Sequence, residues 1–279
     1  MEITKIYGET HGEERAFYGI CDAELSACRF EGEEDGESAL KECRRVKVSD
    51  SDFLLRYPFW HDSGLVLRGC RMAVSCRAPL WYSEAVRISD CIIDGVKALR
   101  ECKDVEIDGS RIASAEFGWK CDGITASNTY IEGEYAFLDS KNITLEGVTL
   151  KGKYSFQYLE NATVRNCVLN TKDAFWHSKN VTVIDCEVNG EYLGWYSEGL
   201  RLINCHILGT QPLCYARSLT LDSCTMTGAD LAFEMSDVNA VILGDMESIK
   251  NPLSGKITVT GKADIVLDRP TEAEITVGN

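Results

Sequence analysis

Apolar and polar residues alternate along short segments of this chain and do not recur at the three- and four-residue spacing of a helix. In the segment that begins at Val181, apolar side chains occupy the first and third positions, and Thr182 stands between them. The alternation stops at the turn former Asp185 and resumes at Val188. Because alternation is typical of strands with one buried face, the pattern predicts short strands joined by turns.

The same pattern recurs at a fixed interval, and we call each recurrence a unit. Between Val86 and Asp237 the chain divides into eight consecutive units of equal length without insertion, the first covering 86–104. Before them lie units of 23, 19 and 21 residues, which begin at Ala23, Val46 and Leu65. One unit is too small to bury its own apolar face, so the units must stack, each strand pairing in parallel with its copy in the next unit. Residues at the same position in successive units form what we call a column.

Stacked units predict an all-β fold, namely a single-stranded right-handed parallel β-helix (solenoid) of about 11 coils of ~19 residues. Left-handed β-helices built from hexapeptides have a shorter and more even coil, and parallel crossovers are generally right-handed. At a rise of ~4.8 Å per coil the predicted rod is roughly 50 Å long. We expect one domain, with residues 1–22 as an N-terminal cap or partial coil, 23–237 as regular coils and 238–279 as C-terminal coils and cap.

The chain contains 13 cysteines, and seven of them fall in one column. They are Cys28, Cys70, Cys91, Cys167, Cys186, Cys205 and Cys224. Small, weakly polar side chains suit a crowded interior corner, so we expect these thiols to be buried and reduced. Metal or redox chemistry is the alternative, but the chain has no CxxC pair and only four histidines. We therefore predict no metal site and no cofactor.

The stacked coils, with Asn or Gly at a corner and Cys, Ser or Thr in an interior column, resemble the pectin-lyase-like superfamily of right-handed β-helices. More narrowly, the segment from Ile143 to Leu200 is similar to a bacterial family of unknown function with this fold. The resemblance covers nearly the whole chain up to Asp237 and implies the fold, but a family without a known activity implies no catalytic residues. The ordered motif set of polygalacturonases is not present, and His11 followed by Gly12 is an isolated match.

All five tryptophans lie in one column, at position 15 of the aligned units. The next column holds two of the four histidines and four tyrosines. Together the two columns predict an aromatic and ionisable strip. Residues predicted to bind a substrate there are Trp60, Trp81, Arg100, Trp119, Tyr158, Trp176, Trp195 and Tyr196. Two interpretations remain open: a half-buried aromatic stack that stabilises the repeat, and a groove for a linear oligosaccharide.

Four ionisable residues in the column after the tryptophans are the candidates for catalysis. They are Glu101, Lys120, Asp139 and His177. Glu101 and Asp139 are two units apart, so their backbones are predicted to lie roughly 9.6 Å apart. This is compatible with the ~6.5–9.5 Å between carboxyl groups in inverting glycoside hydrolysis, where one acts as acid and the other as base. Lys120 would keep one carboxylate ionised. The alternative for Glu101, Lys120 and Asp139 is an ordinary ladder of surface charges.

Charge and hydropathy limit the possible binding partners and the expected location of the protein. Lys and Arg number 29 against 44 Asp and Glu, a formal net charge of −15, which argues against binding to nucleic acid or to anionic membranes. No apolar run reaches the roughly 20 residues of a membrane helix. Met1 to Lys5 lacks the basic and apolar stretches of a secretory signal, so a cytoplasmic location is expected.

The function predicted first is hydrolysis or lyase cleavage of an oligosaccharide bound in the aromatic and ionisable strip. The alternatives are a noncatalytic carbohydrate-binding protein and a structural or protein-interaction rod. An oligosaccharide is the partner that we expect, and the sequence predicts no oligomeric state.

Overall fold

The computed structural model describes residues 3–33 and 36–278. In that part of the chain the regular structure consists of 30 short β-strands and one turn of 3₁₀ helix, Val74–Cys76, without any α-helix. Among the same residues no helix is long and apolar enough to cross a lipid bilayer. The chain divides into two compact halves, Met1–Phe137 and Leu138–Asn279. The all-β prediction is confirmed.

The N-terminal half contains strands of two to six residues. They are β1 (Thr4–Tyr7), β2 (Thr10–His11), β3 (Cys21–Ser26), β4 (Arg29–Phe30), β5 (Arg44–Ser49), β6 (Asp52–Phe53), β7 (Phe59–Trp60), β8 (Ser63–Arg68), β9 (Arg71–Met72), β10 (Leu80–Trp81), β11 (Glu84–Ser89), β12 (Ile92–Ile93), β13 (Lys103–Asp108), β14 (Arg111–Ala113), β15 (Asp122–Ser127) and β16 (Tyr130–Gly133).

The C-terminal half contains strands of three to nine residues. They are β17 (Lys141–Glu146), β18 (Thr149–Lys153), β19 (Glu160–Arg165), β20 (Val168–Lys172), β21 (Lys179–Ile184), β22 (Glu187–Asn189), β23 (Arg201–Ile203), β24 (His206–Leu208), β25 (Leu219–Thr227), β26 (Asp237–Ile242), β27 (Ser248–Lys250), β28 (Ser254–Val259), β29 (Asp264–Val266) and β30 (Glu274–Val277).

Within each half the strands form parallel stacks, with successive coils contributing like strands to the same stack. The first stack holds the strands that begin each unit, such as β11, β13 and β15, or β17, β19 and β21. The second stack holds the strands that follow the next turn, such as β12 and β14, or β18 and β20. Shorter pairs at a third position are β7 with β10, and β27 with β29. Parallel pairing of like strands in successive coils confirms the predicted parallel β-helix.

The pairing register follows the predicted unit boundaries. Val86 pairs with Val105, and Ala162 pairs with Val181, so in both cases the partner is the first residue of the next unit. The longer coil that begins at Ala23 obeys the same rule, because Ala23 pairs with Val46. Residues that share a column in the sequence are therefore neighbours in space at these strands.

The predicted coil number was too low, since the chain makes about 14 turns. The sequence predicts a cap or partial coil for residues 1–22, and there Thr4 in β1 pairs with Ala23, at the same interval as Val86 and Val105. The last turns are slightly shorter than the regular coil, as the pairing of Val238 with Gly255 shows. The terminal coils lack the cysteine column, and the last coils also lack the constant spacing. These are the two signals that mark a coil in the sequence. Whether the chain behaves as one domain stays a prediction.

The interior of each half is built from the predicted inward columns. Cys167, Cys186, Cys205 and Cys224 are buried and free, which confirms the interpretation of the cysteine column. A second inward column, at position 14, contains large side chains that are fully buried. Phe156 and Phe175 in this column stack with ring centroids 4.7 Å apart and planes 8° apart.

A sharp corner follows the tryptophan column in almost every coil, and this corner positions the candidate site. Ten residues at position 16, here called the corner column, have φ between 52° and 62°. They are Glu42, His61, Tyr82, Glu101, Lys120, Asp139, Tyr158, His177, Tyr196 and Tyr215. A left-handed residue bends the chain sharply, and here its own side chain points outward, just before a buried position.

Candidate functional site at the corner

In the N-terminal half the tryptophan column is a continuous stack. The rings of Trp60 and Trp81 lie 4.9 Å apart with planes 7° apart. The guanidinium group of Arg100 lies between Trp81 and Trp119, 4.8 Å from each ring centroid. The faces of these indoles therefore contact one another or Arg100, and each ring is only half-buried.

Hydrogen bonds hold the indoles in this orientation. The indole N–H of Trp60 donates to the carbonyl oxygen of Ala78 at 2.8 Å, and that of Trp81 donates to Lys97 at 2.8 Å. In the C-terminal half the indole of Trp195 donates to Gln211 at 2.7 Å. Trp176 is the exception, because its buried indole nitrogen has no hydrogen-bond partner. In the N-terminal half this geometry favours the structural interpretation for the ring faces that contact a neighbouring indole or Arg100.

The corner column carries a second set of stacked rings, and these are more exposed. In the N-terminal half His61 stacks on Tyr82 at 4.9 Å. In the C-terminal half Tyr158, His177 and Tyr196 stack in sequence, with centroids 5.3 Å and 4.9 Å apart. His177 thus lies between two tyrosines, as their shared column predicts.

A groove lies beside the corner column of the N-terminal half, and we call it the corner groove. Its volume is about 410 Å³, and its lining residues are Tyr82, Ser83, Glu84, Glu101, Lys103, Lys120 and Asp122. The first residue of each long strand supplies one wall, where Glu84 of β11, Lys103 of β13 and Asp122 of β15 are in register. Successive coils of this wall therefore present charges of alternating sign.

A second depression of about 470 Å³ continues from the corner groove towards the N-terminus of the chain. The two share Tyr82 and Glu84. Arg44, Arg45 and His61 line the second depression. Arg45 is neutralised by a bidentate pair with Asp22, at 2.6 and 2.7 Å.

Asp62, which lines the second depression, is a buried acid in a column that mostly holds Cys and Ser. Its side chain is 1 % exposed, and its Oδ1 accepts a hydrogen bond from the backbone N–H of Cys43 at 2.7 Å. Its Oδ2 has no partner. Desolvation by burial raises the pKa of Asp62 to about 8. Sequence reasoning missed this residue, although its place two residues after Trp60 assigns it to the inward column of Cys102 and Cys121.

The structure brings some of the predicted catalytic residues together. Glu101 and Lys120 are exposed and both line the corner groove. Asp139 and His177 belong to the C-terminal half, where each is exposed at a left-handed corner. The pairing of Glu101 with Asp139 stays a prediction. In residues 3–33 and 36–278 no group of three or more His, Cys, Asp or Glu side chains is arranged to hold a metal ion.

Three solved structures are similar to the chain at low sequence identity. A tailspike protein of the E. coli bacteriophage HK620, in complex with a pentasaccharide, is 9% identical, with 95% of this chain and 70% of that chain covered and a TM-score of 0.43. The exopolygalacturonase of Thermotoga maritima is 11% identical, with 98% and 84% covered and a TM-score of 0.38. The A-module of an Azotobacter vinelandii mannuronan C-5 epimerase is 11% identical, with 99% and 91% covered and a TM-score of 0.31.

No curated protein matches the chain. The sequence does match one protein family, described as a protein of unknown function (DUF3737), over residues 4–277. This match extends over almost the whole chain and includes the first and last coils. The chain therefore belongs to the DUF3737 family.

Proposed function

We propose that the chain binds a neutral linear oligosaccharide in the corner groove of its N-terminal half. The observation that carries the proposal is the arrangement of charges in the groove. Glu101 and Lys120 in the corner column face a wall of Glu84, Lys103 and Asp122, so neighbouring coils carry opposite signs.

Such an array suits hydroxyl groups. Each sugar hydroxyl both donates and accepts hydrogen bonds, and here carboxylates accept while lysine ammonium groups donate. Three carboxylates and two ammonium groups leave a net charge of only −1 in the groove, so a polyanion gains little from it. The edge of Tyr82 adds an apolar surface at one end.

Hydrolysis of the bound oligosaccharide is the second candidate. Glu101 favours it, because its carboxylate lies in the groove beside Lys103 and Lys120. A carboxylate in such a groove can act as the base that activates a water molecule.

Isothermal titration with a panel of neutral and acidic oligosaccharides tests the proposal. The double variant Glu101→Gln with Lys120→Met is expected to lower the affinity for a neutral oligosaccharide about tenfold or more, since it removes two charged hydrogen-bonding groups. Glu187→Gln is the matched control, because Glu187 is exposed in β22 of the other half. Equal affinity in wild type and double variant would refute the groove as the binding site.

Analysis of reaction products in the same samples separates the two candidates. If the chain is a hydrolase, Glu101→Gln abolishes product formation and leaves most of the affinity. If the chain only binds, wild type releases no product from any ligand that it binds.

A further inference from the structure

We infer that the C-terminal half carries a second carbohydrate surface, which binds an extended β-1,4-linked neutral glycan with one sugar residue per coil. The surface consists of Tyr158, His177, Tyr196 and Tyr215, here called the aromatic ladder. The inference takes its class of ligand from the proposed function and adds a second site and a linkage.

The aromatic ladder has a constant spacing. Its successive ring centroids lie 5.3, 4.9 and 5.0 Å apart, and the ring planes differ by 1°, 9° and 16°. Each coil supplies one ring, because all four residues occupy the left-handed corner with φ between 54° and 58°. A ligand along this surface therefore meets one aromatic ring per coil, which is a phenol in three coils and an imidazole in one.

The two inner rings of the ladder offer only their edges to a ligand. Each inner ring is covered on both faces by its neighbours, so the usual packing of a sugar face on a ring face is blocked. Tyr158 is nevertheless 49% exposed and Tyr196 is 42% exposed. The edges that face solvent include phenol hydroxyls and the imidazole of His177, which donate and accept hydrogen bonds.

A row of charges beside the ladder limits the charge of the ligand. Glu160, Lys179, Glu198 and Arg217 each stand two residues after a ladder residue and are exposed. They pair in register from coil to coil. Two acids and two bases in alternation cancel, so this row favours a neutral polar ligand over a polyanion.

The linkage follows from the straightness of the ladder. In a β-1,4-linked glucose chain both bridging oxygens are equatorial, so each residue advances by about the length of one ring and the chain runs straight. That advance is close to the coil rise of ~4.8 Å. An α-1,4-linked or β-1,3-linked chain coils, and its hydroxyls leave a straight row after a short distance.

The test uses β-1,4-linked glucose oligomers of increasing length, with α-1,4 and β-1,3 isomers of equal length, titrated into the full chain by calorimetry. Affinity for the β-1,4 series is expected to rise with each added sugar up to the tetramer and then level off. Tyr196→Phe keeps the stacked ring and removes the hydroxyl, so it is expected to weaken binding of the tetramer about threefold to tenfold. Tyr7→Phe is the matched control, because Tyr7 is 77% exposed and lies in β1.

The outcomes separate this inference from the proposed function. Equal affinity for all three linkages, or no effect of Tyr196→Phe, overturns the aromatic ladder as a site. If the Glu101→Gln, Lys120→Met variant alone abolishes binding, the corner groove is the binding site and the aromatic ladder is not. If none of the oligomers binds, both the aromatic ladder and the corner groove are refuted as sites for neutral glucose oligomers.

Discussion

At the scale of single residues, Asp62 is the most unusual group in the described chain. Its neighbours in the same inward column, Ser83 and Cys102, each donate a hydrogen bond to the carbonyl oxygen two residues earlier. A carboxylate cannot donate, whereas a protonated carboxyl group can. Burial therefore keeps Asp62 in the neutral form, and the raised pKa of about 8 expresses that preference.

The raised pKa predicts a definite pH dependence of stability. The folded state holds the Asp62 proton up to about pH 8, while the unfolded chain releases it near its ordinary pKa of 3.8. The stabilisation is thus complete below the unfolded pKa and is lost as the pH rises towards the folded value, at about 1.4 kcal/mol per pH unit. Urea unfolding of wild type and Asp62→Asn between pH 5 and 9 measures it, because the amide keeps the size and does not titrate.

The expected result is a free energy of unfolding that falls with pH more steeply in wild type than in Asp62→Asn. Asp264→Asn is the control, since Asp264 is exposed in β29. Parallel pH profiles for wild type and Asp62→Asn would show that Asp62 is ionised in the folded protein.

At the scale of elements, the sequence predicted the pairing of strands and not the orientation of rings. A constant interval between units is enough to place Val105 beside Val86. By contrast, whether Trp81 turns a face or an edge to solvent depends on a hydrogen bond to Lys97 and on the guanidinium group of Arg100. The constant interval between units contains no information on the hydrogen bond or on the cation–π contact.

The corner groove was also only partly visible in the sequence. Glu101 and Lys120 were identified from their column, but Glu84 and Asp122 belong to another column, two residues further along each coil. The groove arises because the left-handed corner brings these two outward columns to either side of a buried one. Packing of the coils determines this conformation of the backbone, so the groove can be identified only in the structure.

Arg100 allows a test of the tryptophan column as a structural element. Arg100→Ala removes two cation–π contacts and the 3.1 Å pair with Glu116, so we expect a loss of about 1–3 kcal/mol in the free energy of unfolding. Arg100→Trp is expected to restore most of it, because Trp60 and Trp81 show that two indoles fit in adjacent coils.

Chemical denaturation of the three proteins measures this difference. Arg71→Ala is the control, because Arg71 is exposed in β9, and its effect is expected to stay within about 0.5 kcal/mol. A loss of similar size in both alanine variants would mean that the stacked guanidinium adds nothing to stability.

At the scale of the whole molecule, the thiols report on the interior of both halves. Twelve of the 13 cysteines are buried, and only Cys21 is exposed. All 13 are free. Burial raises the pKa of Cys76 and of Cys214 to about 12, so these thiols also stay protonated at neutral pH.

Labelling of the native protein with a thiol-specific disulfide reagent is therefore expected to show one fast thiol per chain. The remaining 12 are expected to react only as fast as the coils open. Cys21→Ser should abolish the fast phase and leave the slow one unchanged. Fast reaction of two or more thiols in the native protein would mean that the cysteine columns do not point into the interior.

The constant interval between coils also determines how a gene for this protein can change in length. Loss of residues 162–180 would leave Ile143 paired with Val181 in place of Ala162, with every inward side chain still inward. Loss of one residue fewer or more would turn the following strand over. The excised coil contains His177, so such a shortened protein would present three rings where there were four. In-frame duplication or excision of single coils is thus a route by which a chain of this kind can gain or lose one corner ring at a time without disturbing its interior.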